Sequence, residues 1–232
     1  MQVIRKRLAG GAKEAEGLVV IIDVFRAFSC QPLFFYFGAE KVLMEPDPLK
    51  ALTLKRGNPE FILAGEVNEV PIEGGDLGNS PSEIVLKGRD YFDGKTVVHR
   101  STAGVTGVAA ALDRASEILL GSFVIAGATA DYIKRKRPDR VTLVAMGDRA
   151  EREAPEDEGC AAYLEHLLTG SPYDHLQVLK ETLYQSTAQK FIQGKKAYLP
   201  REDPVFCLQR DLFDFHLRVL KRDDSLEVIR GY

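Results

Sequence analysis

The sequence predicts an α/β protein with three layers, in which helices cover both faces of a largely parallel or mixed β-sheet. Short apolar runs recur along the first 170 of the 232 residues, and stretches with helical periodicity separate them. The composition, 45% hydrophobic and 28% charged, is ordinary for a folded globular protein and excludes disordered and collagen-like classes. A chain of this length can build one large core.

Each predicted strand is a run rich in Val, Ile, Leu or Phe, the residues that pack well in a buried sheet. In chain order, strands are predicted at residues 18–22, 42–44, 61–64, 96–99, 122–125 and 141–145. Apolar residues spaced for one helical face predict helices at residues 27–36, 48–55, 107–112, 128–136 and 157–168. Ligand sites in open sheets lie at the carboxyl ends of the strands, so the strand-to-helix junctions are the candidate sites.

The sequence pattern changes after residue 170. We therefore predict an α/β catalytic core over residues 1–170 and a C-terminal extension, residues 171–232, packed on the same domain. Polar helices are predicted over residues 172–192 and a short strand at residues 197–199. Within the core, residues 67–88 form a long loop rich in Gly and Pro. Long loops in compact domains are usually functional or disordered.

Net charge and targeting features exclude several classes of protein. The 31 Lys and Arg residues against 34 Asp and Glu residues give a net charge of -3, which supplies no overall basic field for binding nucleic acid. The longest apolar run, residues 18–22, is far shorter than the roughly 20 residues of a membrane span. Three widely spaced cysteines form neither a disulfide framework nor a metal motif. We expect a cytoplasmic protein without nucleic-acid or membrane partners, and a homodimer as the commonest assembly of soluble enzymes.

Asp23 and Arg26 stand where the first predicted strand meets the first predicted helix. A carboxylate suits Mg²⁺, which proteins hold with one or two carboxylates together with water and phosphate oxygens. A guanidinium three residues later can grip an anion with its planar fork of donors. The alternative is that Asp23 caps the helix and pairs with Arg26 at the surface.

Glu66 follows the strand predicted at residues 61–64, and in a parallel arrangement it lies near Asp23. This position makes Glu66 a candidate second metal ligand or general base. A surface glutamate that opens a loop is the alternative.

The long loop carries Asp76, Asn79 and Ser80 beside three glycines. Ser80 is predicted to be a helix N-cap, with Pro81 at the first helical position and Glu83 closing a capping box. Free amides at a helix start also bind anions. Capping alone explains Ser80, whereas it does not explain Asp76 and Asn79.

Arg100, Ser101, Thr102 and Gly104 follow the fourth predicted strand, and this segment has the composition of a phosphate cradle. It is not a Walker A loop, because no Gly-Lys-Ser/Thr closes it. Hydroxyl and amide donors beside Arg100 can hold phosphate or sulfonate oxygens. An ordinary turn, in which Ser, Thr and Gly are also common, is the alternative.

Glu156 and Asp157 fall in the first turn of the last core helix. Acidic residues are favourable there because of the helix macrodipole, which is the structural alternative. Carboxylates next to a strand end also supply a cation site or a general base. Cys160 lies on the apolar stripe of the same helix and is predicted to be a core residue and not a nucleophile.

Taken in order, these segments resemble the 2-phosphosulfolactate phosphatase family. The family typically shows Ile-Asp-Val-Leu-Arg-Ala, Gly-Glu-Arg, Asp-Leu-Gly-Asn-Ser-Pro, Thr-Thr-Asn-Gly-Thr, and Glu-Asp followed by Cys-Ala-Gly. The matching stretches are residues 22–27, 65–67, 76–81, 101–105, and 156–157 with 160–162. The resemblance covers roughly residues 18–168, with a weaker similarity at residues 203–219.

The resemblance implies a Mg²⁺-dependent phosphatase that converts 2-phospho-3-sulfolactate, a small phosphorylated molecule, to 3-sulfolactate and phosphate in coenzyme M biosynthesis. Together with the motifs, it implies a site in which Asp23, Glu66 and Asp157 are catalytic and Asp23, Glu156 and Asp157 hold Mg²⁺. The expected substrate-binding residues are Arg26, Asp76, Asn79, Ser80, Arg100, Ser101, Thr102 and Gly104.

Two departures from the family motif bear on the substrate. Val67 stands where the family has Arg, and Ala103 stands where it has Asn. Each change removes a donor that contributes about 1.5–3 kcal/mol when it is charge-assisted. Two alternatives therefore stay open: a diverged anion-binding protein without turnover, and a hydrolase for another acidic metabolite. Direct attack by water is expected in place of a phospho-aspartate at Asp23, since the Asp-x-Asp spacing is missing there.

Overall fold

The computed structural model describes residues 1–222 and 225–232, and within them ten strands form one mixed sheet. The strands are β1 (Gln2–Arg7), β2 (Gly17–Ile22), β3 (Lys41–Met44), β4 (Ile62–Val67), β5 (Val70–Pro71), β6 (Thr96–Arg100), β7 (Ala115–Gly121), β8 (Arg140–Ala145), β9 (His216–Arg222) and β10 (Ser225–Gly231). Their order across the sheet is β1-β8-β2-β7-β9-β10-β3-β6-β4-β5.

Helices connect most of these strands and cover both faces of the sheet. They are α1 (Leu8–Lys13), α2 (Ala27–Tyr36), α3 (Pro48–Gly57), α4 (Pro81–Lys87), α5 (Arg89–Phe92), α6 (Gly104–Ala111), α7 (Ala126–Lys136), α8 (Pro155–Thr169), α9 (His175–Leu183), α10 (Ser186–Ile192) and α11 (Asp203–Cys207). Pro at the first position of α3, α4 and α8 starts the helix without loss of a hydrogen bond, because that N–H has no partner inside a helix.

Alternation along the strands sends side chains into a core on each face of the sheet. Val19 and Ile21 of β2 contact the core cluster that includes α2 and α6. Leu18, Val20 and Ile22 contact the cluster on the other face, which α7 and α8 cover. The predicted three-layer α/β/α class with a mixed sheet is confirmed.

The sheet contains two parallel groups that run in opposite directions. β1, β8, β2 and β7 pair in parallel, and so do β3, β6 and β4. The hairpin of β9 and β10 lies between the groups and pairs antiparallel with β7 on one side and β3 on the other. Strands of both groups share the core around α2 and α6, so the sheet curves around these helices. This curvature brings the carboxyl ends of β2 and β6 together.

Residues 171–232, predicted as an extension, contribute both strands at the middle of the sheet, β9 and β10. They also supply α9, α10 and α11. The two parallel groups of the core are therefore connected across the sheet by the last strands of the chain.

Most core elements agree with the prediction, and two predicted strands are wrong. The strand predicted at residues 122–125 is instead a 3-10 turn, Phe123–Ile125, after β7 has ended. These residues are buried, and a buried apolar run cannot be assigned to a strand by composition alone. Residues 197–199 form a turn. The predicted loop over residues 67–88 contains β5 and α4, with Ser80 as the expected N-cap.

Across the described ranges, no helix combines the length and the apolar character that a membrane span requires.

The position of β9 predicts that the end of the chain stabilises the whole sheet. Leu217 is fully buried in β9, so Leu217→Ala is expected to lower the free energy of unfolding by about 2–5 kcal/mol in urea denaturation. Leu212→Ala is the matched control, because Leu212 is 49% exposed, and it should change that free energy by less than about 0.5 kcal/mol. Equal, small effects of both substitutions would contradict a central role for the hairpin.

Candidate active site

A small pocket, with a cavity volume of about 40 Å³, lies where β2, β6 and β8 end. Seven of the predicted site residues line it: Asp23, Arg26, Glu66, Asn79, Thr102, Glu156 and Asp157. Segments that are far apart in the sequence therefore meet at one site.

Asp23 lies directly after β2 and connects two helix starts. Its Oδ1 accepts a hydrogen bond from the backbone N–H of Ala27 at 3.1 Å, and its Oδ2 accepts one from the N–H of Gly104 at 2.7 Å. A Cβ at position 104 would lie 2.7 Å from Asp23 Oδ2, so the close approach requires glycine. Asp23 thus caps α2, and it also ties the end of β2 to the start of α6.

Asp157, in the first turn of α8, is held in the same way by backbone donors. Its Oδ1 accepts a hydrogen bond from the N–H of Val24 at 2.7 Å, and its Oδ2 accepts one from Gly147 at 2.7 Å. Gly147 has a φ of 68°, a conformation that favours glycine. The carboxylate fixes the loops after β2 and β8 next to each other.

Three buried carboxylates repel one another on the floor of the pocket. Burial raises the pKa of Asp23 to about 6 and the pKa of Glu156 to about 7. Burial also raises the pKa of Asp157 well above its usual value, and the charges of Asp23 and Glu156 add to that shift. The floor therefore favours a proton or a cation.

Glu156 is the floor carboxylate that connects to the C-terminal part of the chain. Its Oε2 accepts a hydrogen bond from the hydroxyl of Thr187 at 2.9 Å. Thr187 belongs to α10, so this bond brings α10 to the pocket.

Glu66 holds the loop between β6 and α6 against the end of β4. Its Oε1 accepts from the N–H of Thr102 at 2.5 Å, and its Oε2 accepts from the hydroxyl of Thr102 at 2.9 Å and from the N–H of Glu69 at 2.6 Å. These three bonds use most of the lone pairs of the carboxylate. The carboxylate of Glu66 is therefore less available for proton transfer than the carboxylate of Glu156.

Arg26 is a buried cation that reaches the pocket from the start of α2. Its Nη1 donates to Asp203 Oδ2 at 2.8 Å and to the carbonyl oxygen of Tyr198 at 3.0 Å. Asp203 is fully buried, and its Oδ1 accepts from the hydroxyls of Ser80 and Ser82 at 2.7 Å and 2.6 Å. A residue of the C-terminal segment therefore neutralises and positions this arginine.

Asn79 is oriented by a buried histidine. Its Oδ1 lies 3.0 Å from His99 Nε2, and His99 Nδ1 lies 3.0 Å from Gln31 Nε2. Since the amide nitrogen of Gln31 donates, His99 carries its proton on Nε2 and donates it to Asn79. Burial lowers the pKa of His99 to about 3, so the ring is neutral. The amide group of Asn79 is thereby left to donate toward the pocket.

Five predicted residues lie outside the pocket lining that the described residues form. Asp76 Oδ2 accepts from the N–H of Leu63 at 2.8 Å and pairs with Lys55. Arg100 donates to backbone oxygens of Glu66 and Pro46 and to the hydroxyl of Thr102 at 2.9 Å, which holds the loop from behind. Ser101 accepts from the N–H of Val105, and Ser80 and Gly104 act through Asp203 and Asp23. These bonds hold the loops that surround the pocket.

Other residues of the site were not among the predicted site residues, although the weaker family similarity begins at Asp203. Lys190 and Phe191 line the pocket from α10, and Asp203 lies behind it. Glu69 and Arg149 lie at its rim in loops. Charged residues in polar helices and loops are usually solvated, so only the folded chain shows their proximity.

The carboxylate oxygens on the pocket floor are suitable ligands for Mg²⁺. Within residues 1–222 and 225–232, no three Asp, Glu, His or Cys side chains form a ready-made metal cluster. Mg²⁺ does not need one, since it is commonly held by one or two carboxylates and keeps several waters. Asp23, Glu156 and Asp157 supply only oxygen donors and are buried together, so a divalent cation there would relieve their mutual repulsion.

Comparison with known proteins identifies the family of this chain. A family model described as 2-phosphosulpholactate phosphatase matches residues 5–220. The chain belongs to this family. A protein from Bacillus subtilis named probable 2-phosphosulfolactate phosphatase is 28% identical over 211 residues, 90% of each chain. Proteins of the same name from Caldanaerobacter subterraneus and Thermoplasma acidophilum are 31% identical over 91% and 83% of this chain, and over 81% of their own lengths.

The two departures from the motif of the 2-phosphosulfolactate phosphatase family lie in different places. Val67 packs against the small apolar cluster of Ala51, Leu63 and Ile72, away from the pocket. Ala103 lines the pocket. The missing asparagine therefore alters the pocket wall directly, whereas the missing arginine does not.

The Arg26–Asp203 pair predicts a large effect from the loss of one charge. Asp203→Asn keeps the shape of the side chain but leaves the Arg26 charge buried, and the free energy of unfolding should fall by about 3–5 kcal/mol in urea denaturation. Glu202→Gln, an exposed neighbour, is the matched control and should stay within about 0.5 kcal/mol of wild type. A loss below about 1 kcal/mol for Asp203→Asn would show that the ion pair does not hold the site together.

The neutral state of His99 predicts acid sensitivity. The unfolded chain binds a proton at this histidine below about pH 6.5, whereas the folded chain does not until about pH 3, so His99 removes stability as the pH falls between these values. As the pH falls through this window, the free energy of unfolding of wild type should decrease by up to about 1.4 kcal/mol per pH unit relative to that of His99→Gln. Urea denaturation at a series of pH values measures this difference, with pH 7.5 to 8 as the baseline. Parallel curves would mean that His99 is protonated in the folded protein.

Proposed function

We propose that this chain is a Mg²⁺-dependent phosphatase that hydrolyses 2-phospho-3-sulfolactate, a small acidic phosphomonoester, to 3-sulfolactate and phosphate. One observation carries the proposal: a single pocket combines a floor of buried carboxylates with hydrogen-bond donors on its walls. The carboxylates are Asp23, Glu156 and Asp157, and the donors are Arg26 and Asn79. Membership of the family and the names of the relatives support the same reaction.

Arg26 and Asn79 bind the phosphate group in this proposal. Arg26 uses only Nη1 for Asp203 and Tyr198, and its other N–H groups make no hydrogen bond to any residue in the described ranges. Arginine N–H groups in this planar arrangement match phosphate oxygens. Asn79 donates through the amide nitrogen that its bond with His99 leaves free. Both donors are fixed before substrate binds, which favours stabilisation of charge in the transition state.

Asp23 and Asp157 would hold Mg²⁺, which would polarise the phosphoryl oxygens and orient a water molecule. Glu156 accepts the proton of the attacking water in our proposal, because within the described part of the chain Thr187 is the one other side chain that hydrogen-bonds to its carboxylate. Both oxygens of Asp23 already accept backbone hydrogen bonds, which supports direct attack by water over a phospho-aspartate.

The proposal places the reaction in the cytoplasm, as a step of coenzyme M biosynthesis, and treats a homodimer as the working assembly. Cys30, Cys160 and Cys207 are buried free thiols, which supports a reducing compartment.

Release of phosphate tests the proposal. Purified protein is incubated with 2-phosphosulfolactate, 2-phospholactate or phosphoglycolate, each with Mg²⁺ and with a chelator. Metal-dependent release with a preference for 2-phosphosulfolactate is the expected result. Binding of these esters without release would instead support a diverged anion-binding protein, and Ala103 on the pocket wall would then be the first position to change to Asn.

Glu156→Gln isolates the proton-accepting carboxylate. The variant keeps an oxygen for Thr187, so it should fold, while kcat falls by about 100-fold or more because general base catalysis is lost. Glu158→Gln is the matched control, two residues along α8, where the side chain pairs with Arg5 and Arg7 on the outside. Steady-state kinetics and circular dichroism of both variants check the prediction. Unchanged kcat in folded Glu156→Gln would exclude this role.

A further inference from the structure

A cluster of charged side chains at the rim of the pocket has no role in the proposed chemistry. The carboxylate of Glu69 receives three cations: Lys190 Nζ lies 2.5 Å from its Oε1, while Lys196 Nζ and Arg149 Nη2 lie 3.6 Å and 3.9 Å from its Oε2. Glu69, Lys190 and Arg149 all line the pocket. Cations that already hold one carboxylate have the position and charge to hold another.

The rim carries more positive than negative charge. Asp148 is the second carboxylate of the cluster, and it pairs with Lys190 at 3.6 Å and with Arg152 at 2.5 Å. Four cationic side chains thus surround two carboxylates. The floor of the pocket has the opposite sign, so the pocket is built for a cation below and for anionic groups above.

Phe191 connects the rim to the phosphate-binding arginine. Arg26 Cζ lies 5.2 Å from the centroid of the Phe191 ring, and Lys190 Nζ lies 5.7 Å from the same centroid. Arg26 and Lys190 also line the same pocket, so one small molecule bound there can reach both cations. A phosphate at Arg26 leaves a second acidic group of the same molecule near Lys190.

We propose that Lys190 and Arg149 form the subsite for the acidic group that the substrate carries besides its phosphate, and that Glu69 fills this subsite as an internal counter-ion until substrate replaces it. The inference rests on the proposed function and names the residues that select an acidic phosphomonoester over a neutral one. Carboxylate and sulfonate share the chemistry that these cations recognise.

The backbone around Glu69 allows this exchange. Asn68 and Glu69 have φ values of 49° and 75° in the tight turn between β4 and β5. The N–H of Asn68 donates to the hydroxyl of Thr102, and the N–H of Glu69 donates to Glu66. The turn is fixed by these bonds, so only the Glu69 side chain has to move when substrate binds.

Three esters separate the two acidic groups in the test. Isopropyl phosphate has neither, 2-phospholactate adds a carboxylate, and 2-phosphosulfolactate adds a sulfonate as well. Both kcat/KM and the Kd from calorimetry are measured with wild type, Lys190→Met and Glu69→Gln. Lys180→Met is the charge-matched control, because Lys180 is exposed on α9, away from the pocket lining.

Opposite effects of the two rim variants are expected. Lys190→Met should lower the preference for an acidic ester over isopropyl phosphate by about tenfold or more, the loss of one charge-assisted hydrogen bond. Glu69→Gln should lower KM and Kd for the acidic esters about two- to fivefold, because the partly buried ion pair of Glu69 with Lys190 no longer competes. If the loss of preference in Lys190→Met first appears with 2-phospholactate, the carboxylate binds at Lys190; if it first appears with 2-phosphosulfolactate, the sulfonate does. Lys180→Met should match wild type.

A cluster that only stabilises the fold gives a different pattern. Both rim variants would then weaken all three esters equally, and the subsite would be excluded. If wild type releases phosphate from none of the esters, the proposed function is wrong, and the same comparison of Kd values still decides whether the rim binds acidic groups.

Discussion

Two buried carboxylates, Asp23 and Asp157, hold together the ends of strands that the rest of the site is built on. Each accepts two backbone N–H groups from different segments, and three of these four bonds measure 2.7 Å. Removing a carboxylate from water costs several kcal/mol, which short charge-assisted bonds offset only in part. The remaining cost appears as raised pKa values on the floor of the pocket. The arrangement of carboxylates that orders the loops therefore also favours the binding of a positively charged group.

The C-terminal segment completes the pocket from the other side. Asp203 neutralises Arg26 and binds the hydroxyls of Ser80 and Ser82, so α2, α4 and α11 meet at one carboxylate. Thr187 and Lys190 reach the floor and the rim from α10. The hairpin of β9 and β10 fixes this segment within the sheet. Catalytic chemistry assigned to the core thus depends on residues that follow it in the chain.

The sequence predicted the parts of this structure that have a local cause. β2 is a continuous apolar run, and Asp23 stands at its end, where open sheets place ligands. Ser80 was predicted as a cap, and its side chain fills that role. Asp203 and Lys190 could not be found in the same way, because their importance comes from contacts with Arg26 and Glu69 more than 100 residues away. The hairpin of β9 and β10 likewise pairs with strands that are distant in the sequence, and no periodic sequence pattern predicts this pairing.

The central claim is that the pocket at the ends of β2, β6 and β8 binds a divalent cation and a phosphate together. Anomalous diffraction from crystals grown with Mn²⁺, a spectroscopic substitute for Mg²⁺, and inorganic phosphate tests this claim directly. The account predicts a manganese peak beside the carboxylates of Asp23 and Asp157, with phosphate density beside Arg26 and Asn79. A peak outside the pocket, or phosphate bound away from Arg26, would contradict it.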